Sequence, residues 1–299
     1  MRTDVRFPSN GLMLAGHLYT PDEDTGERRA AIVVSHPFGG VKEQTAGLYA
    51  RMLAEQGFVT LAFDASYQGE SEGEPRLLEN PFARAEDVRS AVTFLSVRDE
   101  VDPDRIGALG ICASGAYVPY AAQTEHRIRA VATVSAVDIA AGFREGLPEM
   151  LDECGRARTA EARGERPRLE RIVPDNDEEL AAARDLPAFA REAYDYYRTP
   201  RGQHPNSTNR FLFRSIDQIA QFSPYTLNHL IAPRPLLMVA GTAADTAPFS
   251  QEAIERAAEP KELFWVEGAT HVGLYDRPEY VPGVVAKLAE FFQKNLATA

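Results

Sequence analysis

Arg105-Ile-Gly-Ala-Leu-Gly-Ile-Cys-Ala-Ser-Gly-Ala-Tyr117 is the stretch whose reading decides the fold. Ile106 to Ile111 reads as a short apolar strand, followed by small residues and then an apolar helix face. Between the two stands Cys112, framed by Gly110 and Gly115. A small residue two places before the bend lets the chain turn sharply from strand into helix. The side chain at the bend is then held out of the fold at the strand's C-terminal end. This is the pattern of a nucleophile elbow, G-x-S-x-G, with Cys in the third place and Ser in the fifth. Gly115 brings the close-packing glycine one place late.

A thiol at a helix N-terminus faces unpaired N–H groups and the positive end of the helix dipole, and both favour thiolate. With a His nearby, such a site lowers a thiol pKa from about 8.5 to roughly 3.5–7.5. Most free Cys are small buried hydrophobes. The assignment of Cys112 therefore rests on its glycine frame and on partners found further along the chain.

The chain's 299 residues, 44% hydrophobic and 25% charged, suit one large α/β domain with an insertion, or two domains. The net charge of −12 argues against nucleic acid and against anionic membranes as partners. Two Cys, Cys112 and Cys154, make no disulfide framework and fit a reducing cytoplasm. No apolar run approaches membrane-helix length, and Met1 to Asn10 is no signal peptide. The six His are scattered and no Cys pair is closely spaced, so no metal is expected. No G-x-G-x-x-G follows a strand, so no dinucleotide cofactor is expected either.

Around the elbow, apolar runs alternate with amphipathic stretches. Val5-Arg-Phe and Leu12 to Tyr19 read as antiparallel strands around Pro8-Ser-Asn-Gly11. Ala30 to Ser35, Phe58 to Phe63, Ile128 to Val134, Pro235 to Ala240 and Glu262 to Glu267 read as further strands. Thr45 to Gln56, Glu86 to Val97, Ser250 to Ala258 and Val284 to Leu296 read as helices. The alternation predicts a mostly parallel, eight-stranded sheet with helices on both faces. His36-Pro-Phe, Asp64, Cys112 and Asp138 all fall at strand C-termini, where such sheets bind ligands. Residues 139–230 break the pattern: charges are dense, helical stretches recur, and no strand signal is convincing. This stretch is expected to be an α-helical cap over a core of residues 1–138 and 231–299. Its aromatics, Tyr194, Tyr197 and Phe211 among them, are candidates to line a substrate pocket or simply to hold the cap together.

Cys112, Asp245 and His271 follow one another in the order nucleophile, acid, base. On Gly110-Ile-Cys-Ala-Ser-Gly115, Gly-Thr-Ala-Ala-Asp245 and Gly-Ala-Thr-His271 the sequence resembles the α/β-hydrolase superfamily. It is similar to the dienelactone hydrolase-like branch with a Cys nucleophile. His-Pro-Phe-Gly-Gly40 and Tyr-Gln-Gly-Glu-Ser71 resemble fungal polyketide transferases. The resemblance covers nearly the whole chain and implies a triad of Cys112, Asp245 and His271. It departs from the family at Ser114, where many members have Gly.

In that triad His271 takes the thiol proton and later protonates the leaving group, while Asp245 holds the imidazole tautomer. Asp138 is the competing acid, or else the cap of the helix that follows it. The N–H of Ala113 should be one oxyanion donor. Pro37 has no N–H, so Phe38 is the second, with Gly39 behind it. Ser114, on the first helical turn, is the weaker nucleophile candidate. Cys154 has no His or glycine frame and reads as inert. The expected activity is cleavage of a small ester, thioester or lactone through an acyl-cysteine, with acyl transfer or a non-catalytic binding role as alternatives. Domains of this kind often dimerise, which leaves a homodimer open.

Overall fold

Continuous runs of Val, Ile, Leu and Ala are buried on both faces of a sheet that neither faces water nor tolerates charge. In the computed structural model, which describes residues 1–22 and 26–297, such runs form the centre of an eight-stranded sheet. Its strands are β1 (Arg2–Ser9), β2 (Leu12–Tyr19), β3 (Arg29–Ser35), β4 (Val59–Phe63), β5 (Val101–Ile111), β6 (Ile128–Val134), β9 (Leu236–Gly241) and β10 (Lys261–Val266). Two further strands, β7 (Leu169–Arg171) and β8 (Arg210–Leu212), form a separate antiparallel ribbon. The sheet order is β1-β2-β4-β3-β5-β6-β9-β10. Only the pairings β1 with β2 and β2 with β4 are antiparallel. The remainder are parallel, as expected of an α/β-hydrolase sheet.

Helix α1 (Thr45–Glu55) contacts α10 (Val281–Asn295), and α2 (Pro81–Ser96) contacts α3 (Ser114–Ala122). Helix α8 (Ala247–Arg256) packs on β9 and β10. The inward residues are the apolar ones: Tyr49 and Leu53 of α1, Val88, Ala91, Val92 and Leu95 of α2, Leu288 and Phe292 of α10. Each large aliphatic side chain removed from water contributes about 1.5–3 kcal/mol.

Helix starts differ from the periodic pattern by a few residues for one reason. α2, α8 and α10 each carry Pro at the first or second helical position, and Asn80 caps α2 by accepting from the N–H groups of Phe82 and Ala83. Hydrophobic periodicity begins only where the helix meets the core, so it misses those opening turns.

Between β6 and β9 lie α4 (Leu147–Ala162), α5 (Asp177–Ala182), α6 (Ala188–Arg198) and α7 (Ile216–Ile219). The β7–β8 ribbon lies there too and was not expected from sequence. Three-residue strands carry too few positions for alternation to show. This stretch is sewn to the sheet's edge. Leu212 N–H donates to Leu77 O at 2.8 Å, Gln44 Nε2 to Gly202 O at 2.6 Å, and Ser207 Oγ to Gly39 O at 2.7 Å. Helix α9 (Gly273–Asp276) is a single turn between β10 and α10.

Two glycines around residue 112 decide the site's position. A Cβ on Gly110 would overlap the Ser114 carbonyl, and one on Gly115 would lie 2.6 Å from both Cα and Cβ of Ala136. Gly115→Ala is therefore expected to destabilise the fold by about 3 kcal/mol or more, since overpacking against backbone has no soft neighbour to move. Gly142→Ala, where a Cβ meets nothing within 4 Å, should stay within about 0.5 kcal/mol. Urea unfolding of the two variants checks the difference.

Candidate active site

Parallel strands bring their C-terminal ends to one edge, and the register places Ser35 beside Gly110 and Ile111 beside Val134. At that edge Cys112 adopts φ +57°, the left-handed region that a residue with a Cβ rarely takes. Its backbone is fully engaged. The N–H donates to Val134 O at 3.0 Å, and the carbonyl accepts from Gly115 N (2.8 Å) and Val137 N (3.0 Å). The side chain is what remains to project from the bend.

Ser114 lies behind the bend. Its hydroxyl is 2.6 Å from His36 O and 2.9 Å from Ser35 Oγ, and Arg84 Nη2 donates to it at 3.1 Å. It is fully buried and occupied in holding the loop after β3. Arg84 Nη2 also donates to His36 O at 2.5 Å, and Ala65 N–H donates to His36 Nε2 at 3.1 Å. His36 is thus a support of this loop, held neutral by burial and by the Arg84 charge.

That loop presents Phe38. Its N–H and that of Ala113 lie close enough to Cys112 Sγ to lower the thiol's pKa as hydrogen-bond donors. The two expected oxyanion donors therefore converge beside the sulfur. The thiol also meets the hydroxyl of Tyr275. Burial raises the Cys112 pKa, and the Tyr275 hydroxyl, the two N–H groups and Arg84 only partly offset it. The resting group is the thiol. The expectation that the helix terminus would favour thiolate is overridden because Cys112 is only 5% exposed.

His271 follows β10, and its Nε2 lies 3.1 Å from Tyr275 Oη. Burial pulls its pKa down to about 3, so it too is neutral at rest. The structure places Thr246, not Asp245, against the other ring nitrogen: Thr246 Oγ1 is 2.6 Å from His271 Nδ1. Asp245 is exposed, and its carboxylate accepts from the N–H of Phe189 at 3.2 Å. There it serves the N-terminal turn of α6, where an anion is favoured. Asp138 accepts from Ala140 N at 3.0 Å and faces Arg144 at 3.4 Å, the capping role that was its alternative.

Of the three cap aromatics expected at the pocket, Tyr197 comes nearest the chemistry. Its ring lies edge-on 6.4 Å from Tyr275, and its buried hydroxyl has no hydrogen-bond partner of sound geometry. Phe211 stacks edge-on Phe38 at 5.3 Å. Tyr194 is not brought to the site; its hydroxyl donates to Asp177 at 2.7 Å within the cap segment. Phe189 was missed from sequence and covers His271, ring centroids 4.6 Å apart. Tyr275 was also missed, although its i+4 spacing from His271 on a helical turn was a usable signal. So was Thr246, one residue beyond the acid sought. Cys154 is buried, its Sγ near Phe213 O.

The carboxylates of Glu43, Asp64 and Glu70 converge closely, but Lys42 Nζ already sits among them at 2.6, 2.9 and 2.7 Å. The cluster holds its own cation, so these residues do not fit a metal. A surface recess lined by Tyr19, Glu43, Arg51 and Glu55 contains none of Cys112, His271, Thr246, Tyr275 and Phe38. Among the described residues no helix is long and apolar enough to cross a membrane.

Residues 14–136 match the model of the dienelactone hydrolase family. The Escherichia coli K12 protein YcjY is 40% identical over 311 residues, covering 99% of this chain and all of that one. The thiohydrolase aneE of Aspergillus aculeatus is 28% identical over 309 residues, spanning 99% of this chain and 94% of its own. The crystal structure of the Pseudomonas aeruginosa protein PA2218 superposes with a TM-score of 0.91 at 37% identity, covering 99% of this chain and 94% of that one. Sheet order, elbow and these likenesses agree: the chain belongs to the dienelactone hydrolase family and is an α/β-hydrolase-type enzyme.

Proposed function

We propose that the protein cleaves a small activated acyl compound, an ester, thioester or lactone, through an acyl-Cys112 intermediate. The convergence of the Phe38 and Ala113 N–H groups on the Cys112 sulfur carries this reading. A carbonyl carbon bonded to that sulfur places its oxygen within reach of the same two donors, which is the geometry a tetrahedral intermediate needs. Each donor is worth on the order of 3 kcal/mol in the transition state.

In this scheme the thiol loses its proton toward His271 and the sulfur attacks the carbonyl carbon. The oxyanion forms between Phe38 and Ala113. Collapse expels an alcohol or thiol, which takes a proton from the His271 side. Water then enters, gives its proton the same way and releases the acid. Phe38, Tyr197 and Phe211 supply an apolar, aromatic lining for the acyl group. The same acyl-enzyme could pass its acyl group to an alcohol or amine. The near-complete burial of Cys112, His271 and Tyr275 favours that second reading, since water is excluded.

With p-nitrophenyl acetate or an acyl thioester, wild-type protein should gain one acyl mass on Cys112. Cys112→Ala should lose both the adduct and turnover, by at least about a thousandfold. Full turnover by Cys112→Ala would remove the acyl-cysteine reading. Hydrolysis and transfer separate in the same assay by adding an alcohol and weighing the products.

Thr246→Val should lower kcat/KM by about tenfold to a hundredfold, since a buried hydrogen bond that orients the imidazole is lost. Asp245→Asn should change it by no more than about threefold, because an exposed charge is screened. The reverse ranking would return the acid role to Asp245.

A neutral His271 over the whole working range has a kinetic signature. Its pKa of about 3 lies below the ordinary 6.5, so falling pH protonates the free imidazole only near that depressed value. The raised Cys112 pKa pushes the alkaline limb upward. Steady-state kcat/KM should be flat from about pH 5 to about pH 8. An acid limb centred near 6.5 would show His271 solvated in the working enzyme.

A further inference from the structure

No hydrogen bond joins the Cys112 thiol to the His271 imidazole, and the hydroxyl of Tyr275 is the group that acts on both. Tyr275 Oη is 3.1 Å from His271 Nε2, and the same hydroxyl lies close enough to the Cys112 thiol to hold its pKa down. We propose that Tyr275 is a catalytic residue that relays the proton between Cys112 and His271. This rests on the acyl-cysteine reading for its chemistry.

The step balances without any further reactant. The S–H bond of Cys112 breaks as its proton goes to Tyr275 Oη, and the Tyr275 O–H bond breaks as its proton goes to His271 Nε2. The products are a thiolate, a neutral tyrosine and an imidazolium. Nδ1–H of the imidazolium donates to Thr246 Oγ1, already 2.6 Å away. The return path runs backwards and delivers the proton to the leaving group. No tyrosinate forms at any stage, which suits a phenol whose pKa burial raises well above its ordinary value.

A relay needs fixed atoms, and the backbone of residues 271–275 is held from four directions. Ser135 Oγ donates to His271 O at 3.0 Å and Arg201 Nη2 to Val272 O at 3.0 Å. Tyr49 Oη donates to Leu274 O at 2.7 Å and Thr45 Oγ1 to Tyr275 O at 3.0 Å. The ring itself is wedged edge-on against Tyr196 (5.1 Å) and His271 (5.5 Å). One turn of helix is thereby fixed with donor and acceptor on the same face.

Tyr275→Phe keeps the ring and deletes the hydroxyl. Three readouts follow it, with a matched melting curve to show that the fold is kept. Pre-steady-state acylation by p-nitrophenyl acetate should slow by about a hundredfold. The solvent proton inventory of acylation should change from curved, with two protons in flight, to linear. Iodoacetamide alkylation of Cys112 should shift its pH midpoint upward by about one unit, since a donor to the thiolate is gone.

Tyr280→Phe is the control, because it removes a tyrosine hydroxyl that donates to Gly268 O and holds none of residues 271–275. Acylation within about threefold of wild type, an unchanged alkylation profile, or the same three changes in Tyr280→Phe would each overturn the relay. A wild type that forms no acyl adduct sinks the acyl-cysteine reading instead. The alkylation profile, which needs no turnover, still decides whether the Tyr275 hydroxyl serves the sulfur.

Discussion

Backbone crowding between residues 110 and 115 is the constraint on which the site depends. Gly110 lies against the Ser114 carbonyl and Gly115 against Ala136, so the chain has no room to relax the bend. Cys112 is held at positive φ by three backbone hydrogen bonds, to Val134 of β6, Gly115 of α3 and Val137 just beyond β6. A residue with a Cβ in that region stores about 1–3 kcal/mol, which the surrounding sheet must over-determine. The direction of the sulfur is thereby a property of the backbone. Ser114 then falls on the inner side of the bend, where it fixes His36 O and through it the Phe38 N–H. The Cys112 sulfur and the Phe38 and Ala113 N–H groups are positioned by a single piece of packing.

Desolvation governs the electrostatics laid over that frame. Cys112, His271 and Tyr275 are all at most 5% exposed, and burial shifts each toward its neutral form. A carboxylate brought against a neutral imidazole here would be a buried charge with no counterion. Thr246 avoids that penalty. A hydroxyl donates to Nδ1 in one tautomer and accepts from it in the other, without adding charge. Asp245 remains in solvent and spends its charge on the N-terminal turn of α6.

The architecture was legible because its signal is periodic and long. Buried parallel strands such as Ala30 to Ser35 and Ile128 to Val134 are unbroken apolar runs, and their ends were readable within a residue or so. The elbow was legible because Gly110 and Gly115 are dictated by close approach, not by composition. What sequence could not resolve was side-chain direction one or two residues past a strand. Asp245 and Thr246 are neighbours, and which one reaches Nδ1 depends on how the chain after β9 turns into α8. Tyr194 and Tyr197 share one helix, yet three residues of rotation send the first hydroxyl to Asp177 and the second toward the site. The protonation state of Cys112 was equally hidden, since local sequence shows the helix terminus but not the packing that buries the sulfur.

Residues 188–201 and the Cys112 site are tied by the same contacts. Helix α6 is held at its start by Asp245, covers His271 with Phe189, and brings Tyr196 and Tyr197 against Tyr275. Just beyond it, Arg201 bonds both Val272 O and Asp276. Loosening of these contacts would admit water and let the pKa values of Cys112 and His271 relax toward their ordinary values, closer together. The packing of α6 therefore governs how firmly the thiol and the imidazole are both held neutral.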